Sequence, residues 1–502
     1  MLSGRHPYEP PRRVVSVVRL SGEHLASACV EETLEAIFEE VRREEGSAFM
    51  LISADGKVVL PSTRASELGE EIITLTVIAH VVQRVSSTRT AFAVVTASGS
   101  VVAWGDSDMG GDTKSVQPDL MSNVSRVYSN AFAFCALKND GSVITWGLPT
   151  GGGDSRSVRT SLQGGVKEIF ATRLAFTALK EDGSLVTWGA STYGGDLRDA
   201  ARGVVSVMAT DSAFAALRED GSVIAWGDAT AGGEVGGLDL SEGVLELFAC
   251  KYAFAALIDQ GYSVVCWGSA ISTGDVKYSF TVPLQRLFCT SSAWAALDQR
   301  GHVCCWGDAA AGGDVPRPVA EQLAAAPVVE IFGNEVAFAA LREDGALITW
   351  GGHYLDLDLT SGSEIEQLWR GPFQQVQSTC LAFAACHTTG HVITWGHRNR
   401  GGDSSAVQQR LVQVRQLCAT DNAFAAVAAG GGVVTWGVQD SGGNCSAVAE
   451  CLKEDVHQVY STCNAFMAVK YDGSIVTWGG RRSGGDASKA AQELQVAQPC
   501  AA

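Results

Sequence analysis

The chain has 502 residues, of which 46% are hydrophobic and 18% are charged, so it can bury extensive cores and is expected to form more than one folded unit. Its 37 Lys and Arg residues against 55 Asp and Glu residues give a net charge of -18. That charge disfavours binding to nucleic acid phosphates and to anionic membranes.

The N-terminal segment and the cysteines suggest where the protein works. The segment "MLSGRHPYEPPRRVVSVV" contains prolines and no apolar run long enough for a signal peptide or a membrane span. We therefore expect an intracellular, cytoplasmic protein, with a nuclear location as the alternative. The 14 cysteines include no C-x-x-C pair, which matches neither a zinc framework nor a small secreted disulfide scaffold. Buried reduced thiols are expected.

The first eighty residues predict a small mixed fold. The segment "VVSVVRLSGEHLASACVEE" alternates apolar and polar residues around a Ser-Gly pair, which predicts a β-hairpin. In "TLEAIFEEVRREEG", the apolar residues Leu34, Ile37, Phe38 and Val41 recur at helical spacing, so an amphipathic helix should follow. Further strands are expected in "FMLISADGKVVL" and at the end of "ASELGEEIITLTVIAH".

This order of elements resembles the ubiquitin-like β-grasp domains over residues 14–79, after a tail of residues 1–13. The resemblance implies that the apolar patch by which such domains dock onto receptors falls on Leu20, Ile52 and Ile78. The alternative is that these residues face the core of their own domain. No Gly-Gly terminus follows the last strand, since "AHVVQRV" continues into the next segment. We therefore expect a fixed recognition tag rather than a conjugated modifier.

Residues 80–494 form an internal repeat array, followed by a tail of residues 495–502. Ten Trp-Gly pairs mark the units, at intervals of 38 to 45 residues, with tryptophans at positions 104, 146, 188, 226, 267, 306, 350, 395, 436 and 478. In each unit an apolar run such as "AFAAL" meets a Gly-bearing corner and a run such as "SVITWG", which predicts a hairpin. Both strands are apolar at odd and even positions, so neighbouring sheets must cover both faces. A third strand such as "VSRVYSN" precedes each hairpin.

A Gly-Gly-Asp motif follows most of the Trp-Gly pairs. It ends at Asp112, Asp154, Asp196, Asp314, Asp403 and Asp486, with Glu234 and Asn444 as replacements in two units. The motif recurs about every 42 residues, so neighbouring aspartates cannot complete one calcium shell as they do in nonapeptide β-rolls, and no metal site is expected. Asp403 precedes "SSAVQQRL", in which Ala406, Val407 and Leu411 could line one side of a short helix. We therefore predict that Asp403 is a helix N-cap.

One unit breaks the pattern. After Trp350 the chain reads "GGHYLDLDLTSGSEIEQLWRGPFQQVQSTC", which lacks the Gly-Gly-Asp motif and adds Tyr354, Trp369, Arg370 and Phe373. Aromatic residues and arginine dominate binding hot spots, so these four are candidate protein-binding residues. The alternative is that the aromatic residues fill a gap between two repeats.

The unit pattern resembles the regulator-of-chromosome-condensation repeat over about residues 81–494. The resemblance implies a β-propeller that serves as a protein-binding platform, a guanine-nucleotide exchange factor or an accessory domain of a giant ubiquitin ligase. The units here are shorter than those of the family, and Gly-Gly-Asp stands where the family has Gly-Gln-Leu-Gly, so exchange activity does not carry over. Ten units exceed the seven blades of a typical member, which leaves open a large closed ring, two pieces or an open spiral.

No catalytic site is predicted. The sequence contains no G-x-x-x-x-G-K-[ST] loop, no G-x-S-x-G elbow and no H-E-x-x-H motif, so no cofactor and no small-molecule substrate are expected.

We therefore expect a mainly β protein, a ubiquitin-like β-grasp domain followed by a β-propeller-like array of ten short repeats of about 42 residues. Its expected function is a noncatalytic scaffold that binds protein partners, with ubiquitin receptors or ubiquitin-ligase machinery as candidates. The alternatives are a regulatory subunit of an exchange factor or ligase, and a purely structural array. Few contacts are expected to cross the connection near residues 80–86.

Overall fold

The structure is a computed structural model. It describes residues 13–19, 24–30, 34, 37, 38, 40, 41, 49–53, 58–61, 63, 64, 68, 72–79, 82–197, 201–274, 277–352, 371–488, 490 and 494.

The N-terminal region contains a five-stranded mixed sheet. Its strands are β1 (Arg13–Arg19), β2 (His24–Val30), β3 (Phe49–Ile52), β4 (Val58–Val59) and β5 (Ile72–Ala79). The order across the sheet is β2-β1-β5-β3-β4. The central strands β1 and β5 run parallel, while β1 with β2, β3 with β5 and β3 with β4 run antiparallel. The predicted N-terminal hairpin is therefore confirmed as β1 and β2.

One face of this sheet is covered by the helical segment predicted from sequence. Residues 37, 38, 40 and 41 are helical. Leu34, Ile37, Phe38 and Val41 are all buried in one cluster with residues of β1, β3 and β5, including Leu51. The helical spacing of these four apolar residues correctly predicted that they share one buried face.

The rest of the described chain consists of ten small antiparallel sheets, one for each Trp-Gly pair. The first strands are β6 (Val82–Ser87), β9 (Val124–Ser129), β12 (Val166–Ala171), β15 (Val204–Ala209), β18 (Glu246–Ala249), β22 (Leu284–Cys289), β25 (Val328–Gly333), β28 (Phe373–Ser378), β31 (Val414–Ala419) and β34 (Val456–Ser461). The second strands are β7 (Ala91–Thr96), β10 (Ala133–Lys138), β13 (Ala175–Lys180), β16 (Ala213–Arg218), β19 (Ala253–Ile258), β23 (Ala293–Asp298), β26 (Ala337–Arg342), β29 (Ala382–His387), β32 (Ala423–Ala428) and β35 (Ala465–Lys470). The third strands are β8 (Val101–Gly105), β11 (Val143–Gly147), β14 (Leu185–Gly189), β17 (Val223–Gly227), β20 (Ser263–Gly268), β24 (Val303–Gly307), β27 (Leu347–Gly351), β30 (Val392–Gly396), β33 (Val433–Gly437) and β36 (Ile475–Gly479).

In every repeat the second strand pairs with the first strand on one side and with the third on the other. The fifth repeat adds β21 (Lys277–Ser279) beside its third strand. Two short α-helices lie outside the sheets, α1 (Ala270–Thr273) and α2 (Arg317–Ala324). This arrangement of repeated three-stranded sheets is consistent with a propeller-like array.

Neighbouring repeats stack through the Phe and Trp of their hairpins. In the fourth repeat, the rings of Phe214 and Trp226 stack with centroids 5.3 Å apart. Both lie in one buried cluster with Ala175 and Leu179 of the third repeat. Ala213, on the opposite face of the same strand, packs against the fifth repeat. Both sheet faces are therefore covered, as the continuous apolar runs predicted.

The Gly-Gly pair of one repeat contacts the Trp of the next. The indole Nε1–H of Trp226 donates a hydrogen bond to the carbonyl oxygen of Gly194 at 3.0 Å. Gly194 has φ +87°, and a Cβ there would lie 2.6 Å from the Phe214 ring. Only glycine adopts this backbone conformation and allows the ring to approach so closely. Among the described residues, the tryptophans of eight repeats make the equivalent bond.

The first repeat contacts the tenth. The Nε1–H of Trp104 donates to the carbonyl oxygen of Gly484 at 3.1 Å. Phe92 and Trp104 share a buried cluster with Ala465 and Met467. These contacts are of the same kind as those between consecutive repeats, although the residues lie far apart in the sequence.

The Gly-Gly-Asp motif forms a turn and does not begin a helix at its aspartate. A carboxylate oxygen of Asp403 accepts the backbone N–H of Ser405 at 3.0 Å, and Arg398 donates to the other oxygen at 2.9 Å. The only helical turn that follows is a 3-10 turn at Gln408–Arg410, whose N-cap is Val407. The predicted N-cap role of Asp403 is therefore wrong. Its side chain accepts the backbone N–H two residues later and closes a local turn instead of capping a helix.

We expect Asp403→Ala to lower the free energy of unfolding by about 1 kcal/mol, because the N–H of Ser405 in the turn after the eighth repeat loses its acceptor. Asp403→Asn should cost less, since the amide oxygen still accepts that bond. Hydrogen bonds from Ser405 and Arg398 lower the pKa of Asp403 to about 2. The stabilisation is therefore present above the ordinary carboxyl pKa and is lost as the pH falls through about 2. Chemical denaturation at neutral and acidic pH measures it, and equal stability of Asp403→Ala and wild type would contradict this account.

The cysteines match the expectation of buried reduced thiols only in part. Of the described cysteines, six free thiols are partly buried, at Cys289, Cys305, Cys380, Cys418, Cys445 and Cys463. Cys135, Cys250, Cys266 and Cys386 are buried free thiols, as predicted. Cys304 is exposed, because it lies on a third strand at the edge of its sheet. Cys451 is disulfide-bonded, so the prediction of reduced thiols is wrong there. In the described part of the chain, no helix has the length and apolar character that a membrane span requires.

Candidate protein-binding surfaces

Of the three residues in the predicted apolar patch, the structure describes the side chain of one, Ile52. Leu20 and the side chain of Ile78 lie outside the described residues, although the backbone of Ile78 pairs with Met50 in the sheet. Ile52 is half-buried on β3. Its neighbour Leu51 is completely buried in the core beneath the helical segment. Because strand side chains alternate, Ile52 belongs to the opposite, open face of the sheet.

The N-terminal sheet and the repeat array share a buried contact at Tyr471. This residue lies in the turn between β35 and β36, is 5% exposed, and belongs to the core cluster of the N-terminal region. Its ring meets the ring of Phe38 edge to face, with centroids 5.3 Å apart. On its other side it contacts His457, at 4.8 Å between ring centroids.

This contact corrects the expectation that few interactions cross the connection between the two parts. The connection itself is also shorter than residues 80–86, since β5 ends at Ala79 and β6 begins at Val82. The sequence held a signal for the contact. At the turn position that Tyr471 occupies, the other nine repeats have Ala, Asn, Glu, Asp, Gln or Thr, so an apolar residue at this exposed corner needed a covering partner.

The irregular eighth unit is only partly described. Tyr354, Trp369 and Arg370 lie outside the described residues. Phe373 begins β28 and is partly buried against the cluster that joins the seventh and eighth repeats. Its ring meets that of His387 edge to face at 5.8 Å. The binding role predicted for these four residues remains a prediction.

A group of polar turns forms the first surface of the array. We call "inner turns" the turns that join the first and second strands of each repeat. Their central residues are Arg89, Ala131, Arg173, Asp211, Lys251, Ser291, Glu335, Cys380, Asp421 and Cys463. Backbone hydrogen bonds join the inner turns of neighbouring repeats. Asp421 N donates to Cys463 O at 2.9 Å between the ninth and tenth repeats, and Cys463 N donates to Arg89 O at 3.2 Å between the tenth and the first. The inner turns of repeats 1, 2 and 7 to 10 surround a cavity of about 640 Å³.

The charges of the inner turns are balanced by one another. Three ion pairs link them: Arg89 with Asp421 at 3.5 Å, Arg173 with Asp211 at 3.7 Å and Lys251 with Glu335 at 3.5 Å. Burial, followed by the charges of Asp421 and Glu335, raises the pKa of the Cys380 thiol to about 12. A thiol with this pKa stays protonated at neutral pH and is a poor nucleophile. Cys380 therefore contributes no thiolate to this cavity, whose other lining residues include hydroxyl and amide side chains.

A second surface lies at the opposite end of the repeats, where each first strand begins. In nine repeats the second residue of the first strand sits in a β-bulge, where the pairing register with the second strand shifts. In the fifth repeat the corresponding residue, Leu245, immediately precedes the strand and donates its N–H to Leu257 O at 2.9 Å. The extra residue of a bulge lies outside the regular pairing of the two strands, and its side chain points in a different direction from that of a regularly paired residue. We call this residue the bulge position of its repeat.

Comparisons with known proteins found structural neighbours of low similarity. No protein-family model and no curated protein matches the sequence. The ectodomain of the Arabidopsis thaliana receptor kinase ACR4 is 16% identical, with 62% of this chain and 95% of that chain covered and a TM-score of 0.33. Prp20p from Saccharomyces cerevisiae, described with its binding properties to Gsp1p and histones, is 15% identical, with 64% and 83% covered and a TM-score of 0.32. The ectodomain of the Physcomitrella patens receptor kinase CR4 is 16% identical, with 54% and 71% covered and a TM-score of 0.32.

Proposed function

We propose that this chain is a noncatalytic protein-binding scaffold, in which a ubiquitin-like β-grasp domain is fixed onto a closed ring of repeats similar to those of the regulator of chromosome condensation. The order β2-β1-β5-β3-β4, with parallel central strands and a helical segment over one face, supports the β-grasp part. The contact between Trp104 and Gly484 supports closure, because it joins the first and tenth repeats as consecutive repeats are joined.

The observation that carries this proposal is the position of Ile52 relative to Tyr471. Tyr471 contacts Phe38 in the helical segment, on the covered side of the N-terminal sheet. Ile52 belongs to the other side, because Leu51 beside it points into the core. The array therefore holds the domain by its helical side and leaves the sheet face open to a receptor. A single half-buried apolar residue on an open face suits reversible docking.

Docking through this face is tested with Ile52→Ala. Truncating a hot-spot residue usually costs 2 kcal/mol or more, so capture of ubiquitin-associated domains or proteasomal ubiquitin receptors should weaken about thirtyfold. The matched control is Ile271→Ala, since Ile271 is a 66% exposed isoleucine on α1, in the fifth repeat. Titration calorimetry with a receptor panel is the measurement, and circular dichroism checks that both variants are folded.

Two outcomes would refute the proposal. If the wild type binds no receptor, or if folded Ile52→Ala binds as tightly as the wild type, the N-terminal region serves only to cover the tenth repeat. Accelerated nucleotide release from a panel of small GTPases would instead support an exchange-factor role for the array.

A further inference from the structure

The bulge positions differ in chemistry around the array. Seven of them carry polar side chains, at Gln83, Ser125, Lys167, Gln285, Gln374, Arg415 and His457. The other three, in repeats 4, 5 and 7, carry aliphatic side chains that face solvent: Val205 is 46% exposed, Leu245 is 53% exposed and Val329 is 49% exposed. We call these three residues the aliphatic patch. Because they occupy equivalent points in the strand pairing of repeats 4, 5 and 7, they lie at the same end of the array.

The same end already binds a folded unit. His457, the bulge residue of the tenth repeat, is only 5% exposed. It contacts Tyr471, which inserts into the core of the N-terminal region. The bulge residue of the tenth repeat therefore packs against the side chain that docks the N-terminal region, and the aliphatic patch lies at the same end of repeats without a covering partner within the described residues.

The surroundings of Val205 and Leu245 are acidic. Glu219 and Asp220 lie in the hairpin turn of the fourth repeat, and Glu242 and Glu246 flank Leu245. All four are exposed. A Cβ on Gly221, next to Asp220, would lie 2.8 Å from the backbone of Gly243, so turn and strand start are in direct contact.

These carboxylates outnumber the positive charges near them. Over residues 201–206, 218–221 and 242–246, the four carboxylates stand against two cations, Arg202 and Arg218. After the hydrogen bonds from Ser222, the charge of Arg218 also contributes to lowering the pKa of Asp220. Among the described residues, none of the four carboxylates takes part in an ion pair. An aliphatic surface whose acidic rim keeps a net negative charge favours a ligand that brings aliphatic side chains together with positive charge.

We propose that the aliphatic patch binds a basic segment of a partner protein, one that alternates or interleaves aliphatic side chains with Lys or Arg. The aliphatic side chains of that segment cover Val205, Leu245 and Val329, and its cations neutralise the rim. This inference deepens the proposed function. It rests on one part of that proposal, namely that the repeat array binds a protein. It is independent of the face that carries Ile52.

The patch needs both parts of this ligand. Three separated aliphatic residues are a small apolar surface, so a purely apolar segment would gain little from covering them. A purely basic segment would be held by charge alone and would dissociate as salt is raised. Binding should therefore weaken when Leu245 is replaced by a neutral polar residue, which leaves the charge unchanged. It should also weaken when Glu246 is replaced by lysine, which leaves the three aliphatic residues in place.

Fluorescence anisotropy with the full chain tests this, and the probe is a short labelled peptide of alternating leucine and lysine. Leu245→Ser should weaken binding at least about tenfold, because a hot-spot contact is lost while the net charge is unchanged. Its control is Ile271→Ser, since Ile271 follows β20 at the inner-turn end, away from the bulge positions. Glu246→Lys should also weaken binding, and Asp108→Lys, an exposed acid at the inner-turn end of the first repeat, is its control.

Peptides of alternating leucine and glutamate, and of alternating serine and lysine, complete the design. Both should bind much more weakly than the leucine–lysine peptide at physiological salt. Equal binding of the leucine–lysine peptide by Leu245→Ser and wild type, equal binding of the leucine–glutamate peptide, or no binding of any peptide would each overturn the proposal. Because the receptor titrations with Ile52→Ala use a different surface, failure here leaves their result unchanged, and the reverse also holds.

Discussion

Trp226→Ala should lower the free energy of unfolding by about 3–5 kcal/mol, because it removes a large buried side chain and leaves a cavity between the third and fourth repeats. Trp226 is 6% exposed, stacks on Phe214 and donates its indole N–H to Gly194 O. Each repeat depends on its neighbours to cover its apolar faces, so both repeats should be destabilised together. Chemical denaturation followed by circular dichroism measures the effect.

Trp226→Phe separates the two contributions of this residue. It keeps an aromatic ring in the cluster but removes the hydrogen bond to Gly194, so part of the loss should be recovered, with about 1 kcal/mol of the remainder due to the bond. A change below about 1 kcal/mol for Trp226→Ala would show that the packing between repeats is not what stabilises the array.

Tyr471→Ala should cost about 3 kcal/mol and should also separate the unfolding of the N-terminal region from that of the array. Tyr471 is the described residue of the array that lies in the N-terminal core cluster. When the ring of Tyr471 is removed, Phe38 loses its edge-to-face partner, and the helical segment becomes more exposed to solvent. Hydrogen exchange should therefore increase at Val15 and Val17, which are completely buried in the wild type.

A double-mutant cycle tests whether this effect is due to the contact itself. Phe38→Ala and Tyr471→Ala should be non-additive by about 1 kcal/mol, because the two rings touch. Tyr262→Ala is the matched control, since Tyr262 lies in the corresponding hairpin of the fifth repeat and is 42% exposed. If the cycle is additive, or if Tyr262→Ala has the same effect, the two parts of the chain are not coupled through Tyr471.

The candidate surfaces could be predicted from sequence only in part. The spacing in "TLEAIFEEVRREEG" predicted which residues of the N-terminal region are buried, and the apolar runs predicted that both faces of each hairpin are covered. Ile52 was selected by resemblance and lies on the open face by strand alternation. The aliphatic patch was not predicted, because Val205, Leu245 and Val329 each look like ordinary strand residues. Only the strand pairing of the folded repeats shows that they occupy equivalent exposed points.

Asp403 shows that a local sequence pattern also predicts only in part how one side chain is used. A small polar residue before an apolar, helix-compatible segment is a valid N-cap signal, but the hydrogen bonds to Ser405 and Arg398 gave its carboxylate a different use. Local patterns state what a segment can form, and its neighbours in space select among those options.

The sequence alone determined the ten hairpins, their buried Phe and Trp residues and the order of elements in the N-terminal region. Each of these features depends on the spacing of residues within a short segment of the chain. The tertiary structure decided the contacts that join the units. Trp104 meets Gly484 across 380 residues, and Tyr471 meets Phe38 across a comparable distance. Such pairs depend on how many repeats stack and on the angle between them, and small rotations at each interface add up along the array. No short stretch of sequence determines the total rotation along the array, so these contacts could not be predicted from sequence.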